Sequence, residues 1–190
     1  ELSHGPLLSG WGETTMLRQV EFELTLPAGE KLNQSMGSLL QGLLMERTDS
    51  SWAQEMHTQQ VRPYSQYVTV VEGKPVWRIQ TITDEAFERL IYPLLSKNRY
   101  RLKQRDYDLE LSHFRVVRQE TFGDIESKYV LNHNKIHHIH FRFLTSTSCK
   151  TQGGYAVFPF PYLILKNLVS KWNVYTDSSL IDSDRTADQL

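Results

Sequence analysis

The order of hydrophobic patterns from Met16 to Val116 constrains the fold more than any other feature of this chain. Val20, Phe22 and Leu24 alternate with polar residues, which is typical of a half-buried strand. A helical stripe follows, and then come two β-rich runs joined by a turn, a second helical stripe and further alternating residues. This order is β-α-β-β-α-β, so the sequence predicts an α+β, ferredoxin-like (RRM-like) domain over residues 16–118.

The C-terminal part of the chain begins in the same order. Ile139, Phe141 and Phe143 alternate with polar residues, and a segment with helical spacing follows after a polar loop. We therefore predict that a second ferredoxin-like domain begins here. The predicted divisions are a lead segment 1–15 (a tag or an upstream linker), the first domain 16–118, a connector 119–135, the start of the second domain 136–176, and 177–190 as an acidic tail or a truncated continuation.

Composition excludes several classes of protein. The hydrophobic content of 39% is sufficient for an ordinary core, and no apolar run approaches the ~20 residues of a membrane-spanning helix. Residues 1–15 lack the charged and apolar regions of a signal peptide, so we predict a cytoplasmic protein. The single cysteine, Cys149, rules out an internal disulfide and a cysteine-based zinc site, and we predict no cofactor.

Charge is unevenly distributed along the chain. A net charge of −1 argues mildly against a nucleic-acid-binding protein, but the acidic tail carries much of the negative charge and the rest of the chain is net positive. If the segment around residue 101 is extended, its alternating cations could follow a phosphate backbone; the alternative is an ordinary solvated strand face. These cations are Lys97, Arg99, Arg101, Lys103 and Arg105.

Histidines and a glycine-containing loop offer two further candidate sites. His57 follows a short predicted helix, at a loop or in a last helical turn. His138 and His140 share one face of a predicted strand and could bind a metal with a third ligand, but no acidic partner lies nearby, so we favour a polar face and predict no metal site. Lys150 precedes two glycines and could bind a phosphate, although a plain flexible loop explains the same residues.

A set of short motifs resembles the CRISPR-associated endoribonuclease that cuts repeat RNA to release guide RNAs, the sixth Cas family of the repeat-associated RNA-binding superfamily. The resemblance runs from about Met16 to Asn173, and it depends on the ordered set rather than on one motif. The motifs are Gln41-Gly42-Leu43-Leu44, Met56-His57, Arg62-Pro63-Tyr64-Ser65, Thr121-Phe122, the run from Phe143 to Lys150, Gly154-Tyr155, Phe158-Pro159 and Lys171-Trp172-Asn173.

The resemblance implies roles for individual residues. His57 stands at the place of the family's catalytic histidine, and Arg62 is the nearest match to a basic residue that contacts the scissile phosphate in some members. Some members have a tyrosine where this chain has Met45, so Tyr64 or Tyr67 would have to supply that hydroxyl, and we include Tyr64 among the RNA-binding candidates. The glycine-rich C-terminal loop of the family is missing before Leu190.

RNA cleavage of this kind needs little from the protein. The 2′-OH is the nucleophile, so a histidine as base or acid and an arginine on the phosphate would give a 2′,3′-cyclic phosphate and a 5′-OH without a metal. The implied partner is CRISPR repeat RNA, with other CRISPR effector subunits or a fused reverse transcriptase and integrase as further candidates. The alternative hypothesis is a noncatalytic RNA-binding subunit or domain of a CRISPR assembly.

Overall fold

The computed structural model describes residues 15–33, 35–131, 138–143, 149–151, 154–156, 158 and 160–182. The first domain contains β1 (Met16–Thr25), α1 (Met36–Arg47), α2 (Ser50–Thr58), β2 (Tyr64–Val71), β3 (Lys74–Thr81), α3 (Asp84–Leu95), β4 (Arg99–Leu102) and β5 (Tyr107–Thr121). It is followed by α4 (Phe122–Glu126), a π-helical turn (Ser127–Leu131), β6 (Cys149–Thr151), β7 (Gly154–Ala156) and α5 (Pro161–Tyr175).

The first domain is built on one antiparallel sheet with the strand order β2-β3-β1-β5-β4. The alternating residues of β1 place this strand at the centre, where Phe22 lies opposite Trp77 of β3 and Leu24 lies opposite Leu111 of β5. The order β2-β3-β1-β5 is that of a ferredoxin-like sheet, and the short strand β4 extends it at one edge. The predicted α+β, ferredoxin-like fold is therefore confirmed.

One face of the sheet and the helices α1 and α3 enclose the hydrophobic core. Trp77 is fully buried, and its indole N–H donates to the Gln66 side-chain oxygen at 2.8 Å. The Gln66 amide nitrogen in turn donates to the Gly37 carbonyl of α1 at 2.8 Å, so the polar atoms that accompany this burial are paired. The helices also contribute Leu40, Leu44, Leu90, Ile91 and Leu94, which are all fully buried.

The opposite face of the sheet is polar and holds a buried carboxylate. Glu21 of β1 lies opposite Arg78 of β3 and Arg115 of β5, and both guanidinium groups hydrogen-bond to it. Burial alone would raise the pKa of the Glu21 carboxyl, but the two arginines outweigh this effect and lower the pKa below its usual range. Arg78 also donates to the Tyr67 hydroxyl at 3.1 Å, so one row of paired side chains crosses four strands.

The predicted strand around Phe141 is wrong for the residues that can be described. Residues 138–143 form neither helix nor strand, and Ile139, Phe141 and Phe143 are exposed. An alternating apolar face becomes a strand only when neighbouring strands satisfy its backbone groups, and the described residues provide no such partner here. The beginning of a second ferredoxin-like domain stays a prediction.

Helix α5 packs across the end of the first domain. Its Tyr175 hydroxyl donates to the Val61 carbonyl just before β2, and the Trp172 ring meets Phe122 edge to face, with 5.1 Å between the ring centres. No side chain of α5 is fully buried by the described residues. None of the described helices has both the length and the apolar character that crossing a bilayer requires.

Candidate functional site

Helix α2 presents His57 to solvent in its last turn. The Asp49 carboxylate caps the start of the helix by accepting from the backbone N–H groups of Ser51 and Trp52 at 3.0 and 3.1 Å. Trp52 and Met56 turn their side chains into the core. Because His57 follows Met56 by about 100° around the helix, its imidazole lies on the exposed side.

Arg62 is anchored beside His57 by the same helix end. Its Nε donates to the Met56 carbonyl at 2.9 Å, and this carbonyl belongs to the peptide group that Met56 shares with His57. Both terminal nitrogens of the guanidinium are without a hydrogen-bond partner in the described part of the chain, so they are available for two parallel bonds to a phosphate. The structure thus places the Arg62 guanidinium at the peptide group between Met56 and His57, so the two residues predicted as catalytic lie at the same helix end.

Tyr64 lies in the core, which corrects its assignment as an RNA-binding residue. The side chain is 5% exposed, and its ring is 6.2 Å from that of Trp52 between ring centres. The hydroxyl accepts from the Gln41 amide nitrogen at 2.7 Å and lies 3.6 Å from the Met45 sulfur. The Tyr64 hydroxyl therefore lies close to the Met45 side chain. It does so in the core, where its contacts are with Gln41 and Met45 of α1.

We expect Tyr64→Phe to lower the free energy of unfolding by about 1 kcal/mol, because the Gln41 amide loses its partner. RNA affinity should stay within about twofold of the unsubstituted protein. Urea unfolding and RNA titration measure the two quantities, and Tyr67→Phe on the polar face of the sheet serves as the matched variant. A tenfold loss of affinity with unchanged stability would restore Tyr64 as an RNA contact.

The five alternating cations do not form a bare basic row. Only Arg99 and Arg101 lie in β4, and each faces an acid across the β4–β5 pair, at 3.7 Å for Arg99–Glu110 and 3.4 Å for Arg101–Asp108. Arg101 also pairs with Asp106 at 2.5 Å. The remaining members lie outside the strand: Lys97 is exposed before it, Lys103 bonds to Glu46 at 2.9 Å, and Arg105 bonds to the Ser35 hydroxyl at 2.9 Å.

We expect the triple replacement of Arg99, Arg101 and Lys103 by alanine to change the salt dependence of RNA binding little. Paired charges release few counterions, so the slope of log K against log salt should change by less than one. Binding measured at four salt concentrations gives the slope. A decrease of the slope by about two, as expected for three single-strand phosphate contacts, would show that RNA phosphates replace the acidic partners and that these three cations bind RNA.

The remaining candidates lie partly outside the described residues. Lys150 is in β6, but its side chain is not among those that the structure describes, so its phosphate contact stays a prediction. His138 and His140 are exposed. Among the side chains that are described, no group of three or more histidine, cysteine, aspartate or glutamate residues could hold a metal ion.

Two known proteins are similar to this chain in sequence. No protein-family model matches the chain. A CRISPR-associated endoribonuclease Cas6 of Mycobacterium tuberculosis is 27% identical over 168 residues, which cover 82% of this chain and 50% of the relative. Another Cas6 of the same name, from Streptococcus thermophilus, is 28% identical over 160 residues, which cover 83% of this chain and 63% of the relative. The chain thus spans between half and two thirds of the length of these curated relatives.

Solved structures show the same fold. Thermus thermophilus Cas6 (TTHB231) matches 93% of this chain and 68% of its own, with a TM-score of 0.59 and 20% sequence identity. A product complex of Cas6 (TTHA0078) matches 90% of this chain and 68% of its own, with a TM-score of 0.61 and 17% identity. The resemblance predicted from the sequence motifs is therefore confirmed, and over most of its length this chain is similar in sequence and in fold to CRISPR-associated Cas6 endoribonucleases.

Proposed function

We propose that this protein is an endoribonuclease that cleaves CRISPR repeat RNA in the cytoplasm and so releases mature guide RNAs. The observation that carries the proposal is the hydrogen bond from Arg62 to the Met56 carbonyl, because it holds a guanidinium at the peptide group that joins Met56 to the exposed His57. An imidazole and a cation at the same helix end can supply the proton transfer and the charge stabilisation that cleavage of a phosphodiester needs. The curated relatives from both organisms carry the name endoribonuclease, which supports the same reaction class.

The proposed reaction uses the nucleophile that RNA itself carries. A base removes the 2′-OH proton, the 2′ oxygen attacks the adjacent phosphorus, and the bond from phosphorus to the 5′ oxygen breaks. The leaving oxygen takes up a proton, so the products are a 2′,3′-cyclic phosphate and a 5′-OH. His57 can serve as the base or as the acid, and the two free nitrogens of Arg62 can bind the nonbridging oxygens as their charge grows.

The partner that fits this site is a flexible, single-stranded segment of repeat RNA. The attacking oxygen must approach in line with the leaving oxygen, and a continuous A-form stack does not allow that geometry. Product complexes of Cas6 (TTHB231) and Cas6 (TTHA0078) are among the solved structures with this fold, which supports a reaction product as its ligand. Other CRISPR effector subunits and a fused reverse transcriptase and integrase remain proposed partners on the basis of the family resemblance alone.

The test is cleavage of end-labelled repeat RNA from the source genome in the presence of EDTA. We expect one cut per repeat, at a fixed position, with an unchanged rate when EDTA is replaced by Mg²⁺. A repeat RNA of shuffled sequence is the matched control, and it should bind more weakly and stay uncut. Tight binding without cleavage would overturn the nuclease proposal and favour the noncatalytic RNA-binding subunit instead.

A further inference from the structure

The last turn of α5 approaches the candidate site from a distant part of the chain. Its Tyr175 hydroxyl donates to the carbonyl of Val61, the residue before Arg62. Burial raises the pKa of the Tyr175 phenol, and the Glu55 carboxylate of α2 adds to this rise, so the hydroxyl keeps the proton that it donates. The end of α5 is thereby joined to the segment between α2 and β2.

This last turn is held in a fixed position. The Asn173 side chain accepts from the Ile181 N–H at 2.8 Å and donates to the Ile181 carbonyl at 2.7 Å. The Trp172 indole N–H donates to the Ser179 carbonyl at 2.8 Å while its ring packs on Phe122. Side chains on this turn therefore have a defined location relative to the end of α2.

Lys171 lies on the same side of α5 as Tyr175, one turn earlier. Residues four positions apart in a helix are neighbours on its surface, about 6 Å apart along the axis. The Lys171 side chain is partly buried, and burial lowers the pKa of its ammonium. Among the described residues no acid or carbonyl forms a bond with this ammonium.

Three other described lysines contrast with Lys171, because each is paired with a glutamate. Lys74, Lys103 and Lys128 are mostly exposed, and each lies within 4 Å of a glutamate oxygen. A cation removed from water without a partner costs free energy, and a ligand of opposite charge would offset that cost. Lys171 lies one helical turn from Tyr175, whose hydroxyl bonds to the carbonyl of Val61, the residue before Arg62, and this location indicates which ligand supplies the charge.

We propose that Lys171 is a further RNA-binding residue, whose ammonium binds a phosphate of the RNA segment that passes His57 and Arg62. This inference rests on the proposed function for the identity of the ligand. By this proposal α5 is part of the site, and the same RNA strand contacts both α5 and the segment between α2 and β2. The contribution is to binding and positioning, because the reacting phosphate itself is assigned to Arg62.

The test compares Lys171→Met with Lys166→Met, an exposed lysine on the same helix. The probe is the repeat RNA with a 2′-deoxy substitution at the cut site, titrated at several salt concentrations. We expect Lys171→Met to weaken binding about tenfold at 100 mM salt and to reduce the slope of log K against log salt by about 0.7, the value for one phosphate contact on a single strand. Lys171→Arg should restore the slope, and Lys166→Met should leave it unchanged.

Urea unfolding of the same variants separates this role from a structural one. Lys171→Met should unfold at the same or a higher urea concentration than the unsubstituted protein, because an unpaired ammonium is replaced by an apolar side chain of similar size. If the slope of log K against log salt is unchanged in Lys171→Met, the inference is overturned. If this variant also unfolds at a lower urea concentration, the role of Lys171 is structural. Absence of RNA binding by the unsubstituted protein overturns both proposals, whereas binding without cleavage overturns only the proposed nuclease activity.

Discussion

The His57→Ala variant is expected to cleave repeat RNA about 10²–10⁴-fold more slowly than the unsubstituted protein. The variant loses the imidazole that moves a proton in the transition state but keeps Arg62 on the Met56 carbonyl, so the affinity for RNA should stay within about twofold. Single-turnover cleavage with excess protein measures the first quantity, and titration of the 2′-deoxy RNA measures the second. Loss of rate with retained binding is the signature of a residue that acts on the reacting atoms.

A matched histidine controls for unspecific effects of removing an imidazole. His113 lies on β5 with its side chain 73% exposed, and its backbone has a φ of 49°, which asparagine tolerates better than alanine. His113→Asn should therefore cleave at the rate of the unsubstituted protein. Equal rates for His57→Ala and the unsubstituted protein would remove His57 from the reaction.

Replacement of Glu21 by alanine is expected to lower the free energy of unfolding by about 2–3 kcal/mol. Removal of one partner from a buried ion pair costs about 3–5 kcal/mol, and the effect is reduced here because the Arg78 and Arg115 side chains are 24% and 60% exposed. The Glu21 side chain is 2% exposed, so water does not replace the carboxylate as a partner of the two arginines when it is removed. Urea unfolding at neutral pH measures the difference.

The difference in free energy of unfolding between Glu21→Ala and the unsubstituted protein should decrease as the pH falls. The pKa of Glu21 is lower in the folded protein than in the unfolded chain, so its contribution is fully present above the usual glutamate range and is lost as the pH falls through the folded pKa. Glu21→Ala should therefore approach the unsubstituted protein in stability at acidic pH. Glu23→Ala is the control, with a cost below about 1 kcal/mol because its partner Lys74 is 59% exposed; an equal cost for both variants would contradict the account.

The fold of the first domain could be predicted because its signals are local. Alternation of Val20, Phe22 and Leu24 defines the buried face of β1, and helical spacing of Leu90, Ile91 and Leu94 defines that of α3. Both patterns depend on neighbours within a few residues, and the order of elements then limits the topology. The segment around Phe141 shows the same alternation, but the residues that the structure describes provide no neighbouring strand for it.

The candidate site was only partly predictable because its contacts link distant residues. The exposure of His57 follows from the buried Trp52 and Met56 on the same short helix, which the sequence shows. The pairing of Arg101 with Asp108 depends on the register between β4 and β5, so a list of alternating cations could not show that they were neutralised. The contact between Tyr175 and Val61 spans 114 positions, and no sequence period reports such a contact.

The chemical nature of the cut ends tests the central claim most directly. Mass spectrometry of the upstream fragment should show a 2′,3′-cyclic phosphate, and an otherwise identical RNA with a single 2′-deoxyribose before the scissile phosphate should stay uncut. A 3′-OH on the upstream fragment, or cleavage of the deoxy-substituted RNA, would show that the 2′-OH is not the nucleophile and would contradict the mechanism assigned to His57 and Arg62.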